Sequence, residues 1–429
     1  MAATSRSGLR LTPFHVAALG FFGGGLLLAA YNGLQAVDLV STVSWIGWSH
    51  VHFVTVGGFT QLLFGMLPQF AARKLDQPAP GRRAVLGPFA GLNGGFAAIW
   101  YGRAFGRPAW FDLGTILVFV TVLAVLGSLL AMGWRSERRW WRDVTVRTYV
   151  AALTVFLAGI VYAFGLFSHP VDVPGGLDGL REAHVHANGW GFLGLAAIAT
   201  LYDLFPRLVD ADLYSERLRA YSSWLFIAGI VPLITGPWLG LGRTVTAPGL
   251  VLYASGFLLY GYTLVKTYLA GTGSGVAQSV LAAQVWVLGP ASFAPFILFG
   301  VPLGIESAWI EQGALHFFFL GWALPIAMAG LLVTVRTLPC LHDDATEGQG
   351  TLSDMVPRDG TLDVLPTWMV GTWNGAVFLT GLGFFFQNQP IATQLFGVGW
   401  TVILLIWGYQ LGQIIAQRRP GLAWLPGLG

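Results

Sequence analysis

The sequence predicts an all-α integral membrane protein, and three observations carry the prediction. Fifty-five per cent of its 429 residues are hydrophobic and 10% are charged, with a mean hydropathy of +0.65; soluble domains carry about 25% charged residues. The apolar residues come in continuous runs of about 20, the length that crosses a bilayer as a helix. They show no two-residue alternation, so a β-barrel is excluded. The 58 glycines suit helices that pack closely in lipid, and the 18 tryptophans suit interfacial belts.

Twelve spans can be placed along the chain. The N-terminal "MAATSRSGLRLTPF" is polar and basic, but the run after it, roughly 13–34, has spanning length and reads as a first helix rather than a cleaved signal. Spans two to four fall at roughly 44–70, 84–103 and 112–133, separated by "ARKLDQPAPGRR" and "RAFGRPAW". The basic stretch "RSERRWWRD" precedes spans five and six, roughly 147–168 and 183–206. Spans seven to ten follow at roughly 220–240, 247–270, 277–301 and 312–336, then an acidic segment, 337–364, and a last pair at roughly 366–387 and 391–416. Together they make one membrane domain over 1–429.

Loop charge supports this count. With twelve spans, 19 of the 23 lysines and arginines lie on one side, and only Arg103, Arg107, Arg181 and Arg243 lie on the other. The positive-inside rule then places both termini and the 337–364 loop in the cytoplasm. The net charge of +3 reflects this orientation, so lipid is the expected surroundings and no nucleic acid is expected. The single cysteine, Cys340, excludes an internal disulfide.

The informative polar residues are histidines. In "HVHANGWGFLGLAAIATLYDLFPRL", His184 to Leu208, two imidazoles head an apolar run, where an unpartnered polar ring is costly. His50 and His52 head span two and His316 heads span ten, so the five share one depth near the extracytoplasmic face. Glycine follows five residues after His52, His186 and His316, at Gly57, Gly191 and Gly321, with Trp322 directly after the last. Spans two, six and ten are four apart, which predicts three four-helix units around a pseudo-threefold axis. Residues two apart on a helix point in nearly opposite directions, so each His-Val-His offers one inward ring. The glycine marks His52 and His186 as the inward ones and is expected to let a flat macrocycle or a backbone approach. Two imidazoles on facing helices suit the axial positions of a heme iron; copper or zinc needs three or four converging ligands and is not expected. His15, on the cytoplasmic side, is expected to be structural; His169 and His342 are expected to be solvated. Gln61, Asn93, Gln284 and Asn374, polar within spans, are expected to make packing hydrogen bonds.

This constellation resembles subunit I of the heme-copper oxidase superfamily, most closely the C-type cytochrome oxidases and the nitric oxide reductases. His186, Pro206, Tyr214-Ser215 and Arg217-Leu218 keep the intervals of that family's sixth helix, and His316, Gly321 and Trp322 those of its tenth. The resemblance implies a b-type heme held by His316 and His52, with His50 the less favoured alternative. A second heme or metal at His186, with His184, is left open. It also implies a prokaryotic inner (cytoplasmic) membrane. Departures are specific. Ala314 stands where the family's oxygen-reducing heme has its ligand, and Trp238 and Leu239 stand where two copper-binding histidines follow Gly236-Pro237. The expectation is therefore a divergent member that keeps the fold and one low-spin heme but lacks a complete binuclear site. It would transfer electrons with quinone or a partner respiratory subunit or cytochrome. A nitric oxide or dioxygen sensor, a divergent oxidase or nitric oxide reductase, and a heme-free metal or proton transporter are the alternatives.

Overall fold

A computed structural model describes residues 9–36, 38–167, 172–300, 304–337, 365–387 and 389–416; the acidic 337–364 segment, apart from the backbone of its first residue, together with Cys340, His169 and His342, lies outside them. The described residues are helical, with no strand. Ten helices are long and apolar enough to cross a membrane. They are α1 (Pro13–Ala36), α2 (Ile46–Lys74), α4 (Pro108–Arg135), α5 (Val144–Phe167), α6 (Gly176–Leu208), α7 (Glu216–Trp238), α8 (Gly242–Ala270), α9 (Gly275–Phe299), α10 (Ser307–Val335) and α12 (Ile391–Ala416). Two further long helices, α3 (Arg82–Ala104) and α11 (Thr367–Phe385), stand where the sequence places spans three and eleven.

Local chemistry sets several helix ends. Ser215 Oγ accepts from Leu218 N at 3.2 Å and Ser274 Oγ from Ala277 N at 3.1 Å, each satisfying an amide that a helix start leaves open. Pro108 begins α4, where its missing N–H costs nothing. Gly300 ends α9 with φ +64°, a left-handed cap that glycine adopts without strain.

Each helix packs on the next in sequence, and α12 returns to α1, closing a ring. Burial then sorts the helices. In their most apolar stretches α2, α6 and α10 are 61, 78 and 83% buried, and no other spanning helix exceeds 44%. The histidine helices are thus the inner ones. Outer helices present apolar faces outward: Leu113, Ile116, Leu117, Val120 and Leu123 make one exposed stripe on α4, the spacing of a single helix face. Such a face is stable against lipid tails and not against water.

The four amide side chains singled out within the spans are paired, as expected from the sequence. Gln61 donates to Asn93 at 2.9 Å, Trp322 Nε1 to Gln284 at 2.9 Å, and Trp286 Nε1 to Asn374 at 2.5 Å. His15 is 1% exposed and its Nδ1 accepts from Thr12 N at 3.1 Å, consistent with a structural role.

At the end of the bundle opposite the histidine pairs, a buried ion cluster ties four helices together. Asp203 of α6 accepts from Lys74 of α2 at 2.7 Å and from Arg219 of α7 at 2.9 Å. Its other oxygen accepts from Thr145 of α5 at 2.7 Å.

Candidate functional site

A cavity of about 610 Å³ lies among the inner helices, within the range of pockets that enclose organic ligands. His50 and His52 of α2, His184 of α6 and His316 of α10 all reach its wall. The rest of the wall is mainly apolar and aromatic, including Phe96, Phe111, Phe156, Leu320 and Trp407; Asn188 and Gln312 are among the few other polar side chains.

A shared backbone device sets these imidazoles. In each inner helix the α-helix gives way to a wider π-helix at the histidine: Phe53–Phe59 after His52, His186–Gly194 from His186, and Phe317–Ala323 after His316. Such wide turns are rare and recur at functional sites. His52 Nδ1 donates to the Trp48 carbonyl at 2.9 Å, His186 Nδ1 to that of Glu182 at 2.9 Å, and His316 Nδ1 to that of Gln312 at 2.7 Å, each four residues back. A carbonyl only accepts, so these contacts put the proton on Nδ1 and leave the Nε2 lone pair available. This is the tautomer and the outer support found behind metal-bound imidazoles. His184 reaches the same state through a different helix: its Nδ1 donates to the Gly159 carbonyl of α5 at 2.9 Å. His50 differs, for its Nδ1 is buried without a partner in hydrogen-bonding geometry, although the carbonyls of Ile46 and Gly47 lie beside it.

The structure changes three sequence expectations. The helical spacing gives each His-Val-His one inward ring, yet both His50 and His52 reach the cavity wall. His186 was expected to be the inward ring of its pair, yet the cavity wall holds His184 and not His186. The glycines were expected to admit a macrocycle or a backbone, yet they seat side chains of the preceding helix. A Cβ on Gly57 would lie 2.5 Å from the Phe21 ring of α1; one on Gly191 would strike Val155 of α5, and one on Gly321 would strike Trp286 of α9. None of the three lines the cavity, and neither does Trp322, which is buried against Phe318. The glycine therefore marks the helix face turned to its predecessor, and inferring the inward histidine from it picks the wrong member on α6.

The two rings of α2 also have different neighbours. His50 and His316 both stand against Trp400 of α12, with ring centroids 6.3 and 6.0 Å away, and His50 is the histidine within electrostatic reach of His316. His52, the ring the sequence favours as partner of His316, stacks on Trp48 at 4.1 Å. Its charged neighbours include His184 and Arg103. Among the described residues no group of three or more His, Cys, Asp or Glu converges as a metal cage. Ala314 and Trp238, the two departures noted above, lie within α10 and at the end of α7. The Pro237-Trp238 backbone is crowded against the start of α6, where Gly175 N donates to the Trp238 carbonyl at 3.0 Å.

No known protein-family model matches the chain.

Proposed function

We propose that this chain is a membrane hemoprotein that carries b-type heme in the histidine cavity and transfers electrons. The ligands are His316 from α10 and one ring of the His50-Val51-His52 pair from α2. One observation carries the reading: imidazoles from separate inner helices meet one apolar cavity with Nδ1 tied to backbone carbonyls and Nε2 left for a metal. The donor set and the walls both fit an iron porphyrin, which takes two axial imidazoles and an apolar surround. When bound, the heme supplies reversible one-electron chemistry. The protein's own part is to fix ring orientation through the backbone carbonyls, to enclose the porphyrin in aromatic walls, and to exclude water.

A twelve-span bundle of three four-helix units fits the same reading. The inner helices are four apart in the chain, each carries a π-helical turn at its histidine, and each seats a side chain of the preceding helix on its glycine. Electron exchange with quinone or a partner respiratory subunit belongs to the same reading. Ala314, Trp238 and Leu239 cannot ligate metal, so oxygen or nitric oxide reduction at a copper-bearing pair is not part of the proposal.

The test is a reduced-minus-oxidised spectrum of purified protein with pyridine hemochrome quantification. Sharp low-spin b-type bands are expected. His316→Ala should remove the heme between α2 and α10, and His15→Ala should not. Purified protein with no hemochrome refutes the reading and favours the heme-free transporter.

A further inference from the structure

The cavity wall holds four histidines, and a single bis-imidazole heme uses two of them. His50 and His316 share one side, against Trp400 and with Ala29 and Trp407 of α1 and α12 in the wall. His52 has other neighbours and stacks on Trp48 at 4.1 Å. We propose that His52 and His184 form a second imidazole pair, on the side of the cavity walled by α3, α4 and α5, which binds its own iron porphyrin. The proposal rests on the reading of the cavity as a heme pocket.

Four observations converge on it. His184 is held by an element of its own: its Nδ1 donates to the Gly159 carbonyl, and Asn188 donates to the His184 carbonyl at 2.7 Å. Gly159 has to be glycine for this, since a Cβ there would lie 2.5 Å from the Asn188 side chain. The bond to Gly159 fixes the ring from a neighbouring helix, the outer support that a ligand imidazole takes, while Asn188 holds the backbone of the same turn. His52 and His184 line the same cavity within electrostatic reach of one another, and the Nδ1 of each is tied to a backbone carbonyl, which leaves Nε2 free for a metal. The helices on this side line the cavity with the aromatic rings of Phe96, Phe111 and Phe156. Finally, Arg103 at the end of α3 lies over Phe167 at 5.3 Å, a wall residue of this side, and makes no ion pair among the described residues. A cation at the rim beside an apolar pocket suits a flat ligand with carboxylate arms, which is what a porphyrin with propionates presents.

The test is heme stoichiometry and ferric electron paramagnetic resonance on the purified full chain. Wild type should hold about two hemes and show two low-spin bis-imidazole signals. His184→Ala and His52→Ala should each lower the ratio to about one and abolish the same signal, leaving the signal that His316→Ala removes. Arg103→Ala should shift the potential or weaken retention of the His184-dependent heme alone. If His184→Ala does not fold, His184→Met decides, because a thioether still ligates iron: the heme count stays and one signal changes to a His–Met type. One heme per chain, unaltered by His184→Ala, overturns the second pair and leaves the function proposed above intact. Absence of all heme overturns the heme reading of the cavity, and this proposal with it.

Discussion

Removing Asp203 should be among the most damaging single changes outside the cavity. Its side chain is 6% exposed and Arg219's is 7% exposed, so neither charge is solvated. Lys74 is 25% exposed and can turn its ammonium to water once its partner is lost. Arg219 has no such escape. Asp203→Ala leaves it Thr145, at 2.5 Å, and Glu216, at 3.3 Å, whose own side chain is 70% exposed. Its Nε is buried without a partner even in the intact protein. Breaking a buried ion pair by removing one member costs about 3–5 kcal/mol, chiefly the penalty of the stranded charge. Glu216 offsets part of that, so about 3 kcal/mol is expected. Reversible denaturation in mixed micelles measures it. The decisive variant is the double change Asp203→Ala with Arg219→Leu, which removes both charges and should recover much of the loss. If Asp203→Ala costs under about 1 kcal/mol, as exposed pairs do, or if the second change worsens it, the stranded-charge argument is wrong.

Other consequences can be checked the same way. Gly321→Val would drive two methyl groups into the Trp286 ring, and overpacking of this kind costs about 1–3 kcal/mol in the same denaturation assay. Trp322→Phe removes the donor to Gln284 Oε1 and strands that buried acceptor, at about 1–3 kcal/mol. Tyr149→Phe should cost less, about 0.5–1.5 kcal/mol, because Thr200 keeps its bond to the Ala196 carbonyl at 2.8 Å. Gly159→Val should displace Asn188 and loosen His184, lowering heme content without touching any ligand; an unchanged heme-to-protein ratio would show that the α5 support is not needed.

Much of the architecture was legible in the sequence because burial in lipid leaves long apolar runs. The run at 44–70 became Ile46–Lys74, and that at 183–206 became Gly176–Leu208. The second extends further because Gly176 to Glu182 is polar enough to stop a hydropathy run yet continues the same helix. The four-span spacing of the histidine helices was legible, but that they are the inner ones emerges only from their burial in the packed bundle. Which rings meet the cavity, both on α2 and His184 alone on α6, did not follow, since that depends on where the neighbouring helix sits. Gly191 faces Val155 of α5 rather than the cavity, so the cue taken from it pointed to His186. Asp203 was passed over because its partners, Lys74 and Arg219, are 129 and 16 residues away in the chain and meet it only after α2, α6 and α7 pack. The π-helical turns left no trace either, because a local widening shifts the apolar period by less than a single composition window resolves.

Those widened turns bear on how the protein can vary. A π-turn amounts to one residue inserted into a regular helix. In α2 the widened turn, Phe53–Phe59, lies directly after the histidine pair. Deleting one residue between 53 and 59 would restore an unbroken α-helix at little local cost. Because the wide turn already absorbs the extra residue, the two halves would keep nearly their present relation and His50 and His52 their present bearings, whereas a deletion in a regular stretch of the same helix would turn one half by about 100°. The same deletion is available in α6 and α10, so the widened turns are where these helices can lose a residue with the imidazoles kept in place, and their regular stretches are where they cannot.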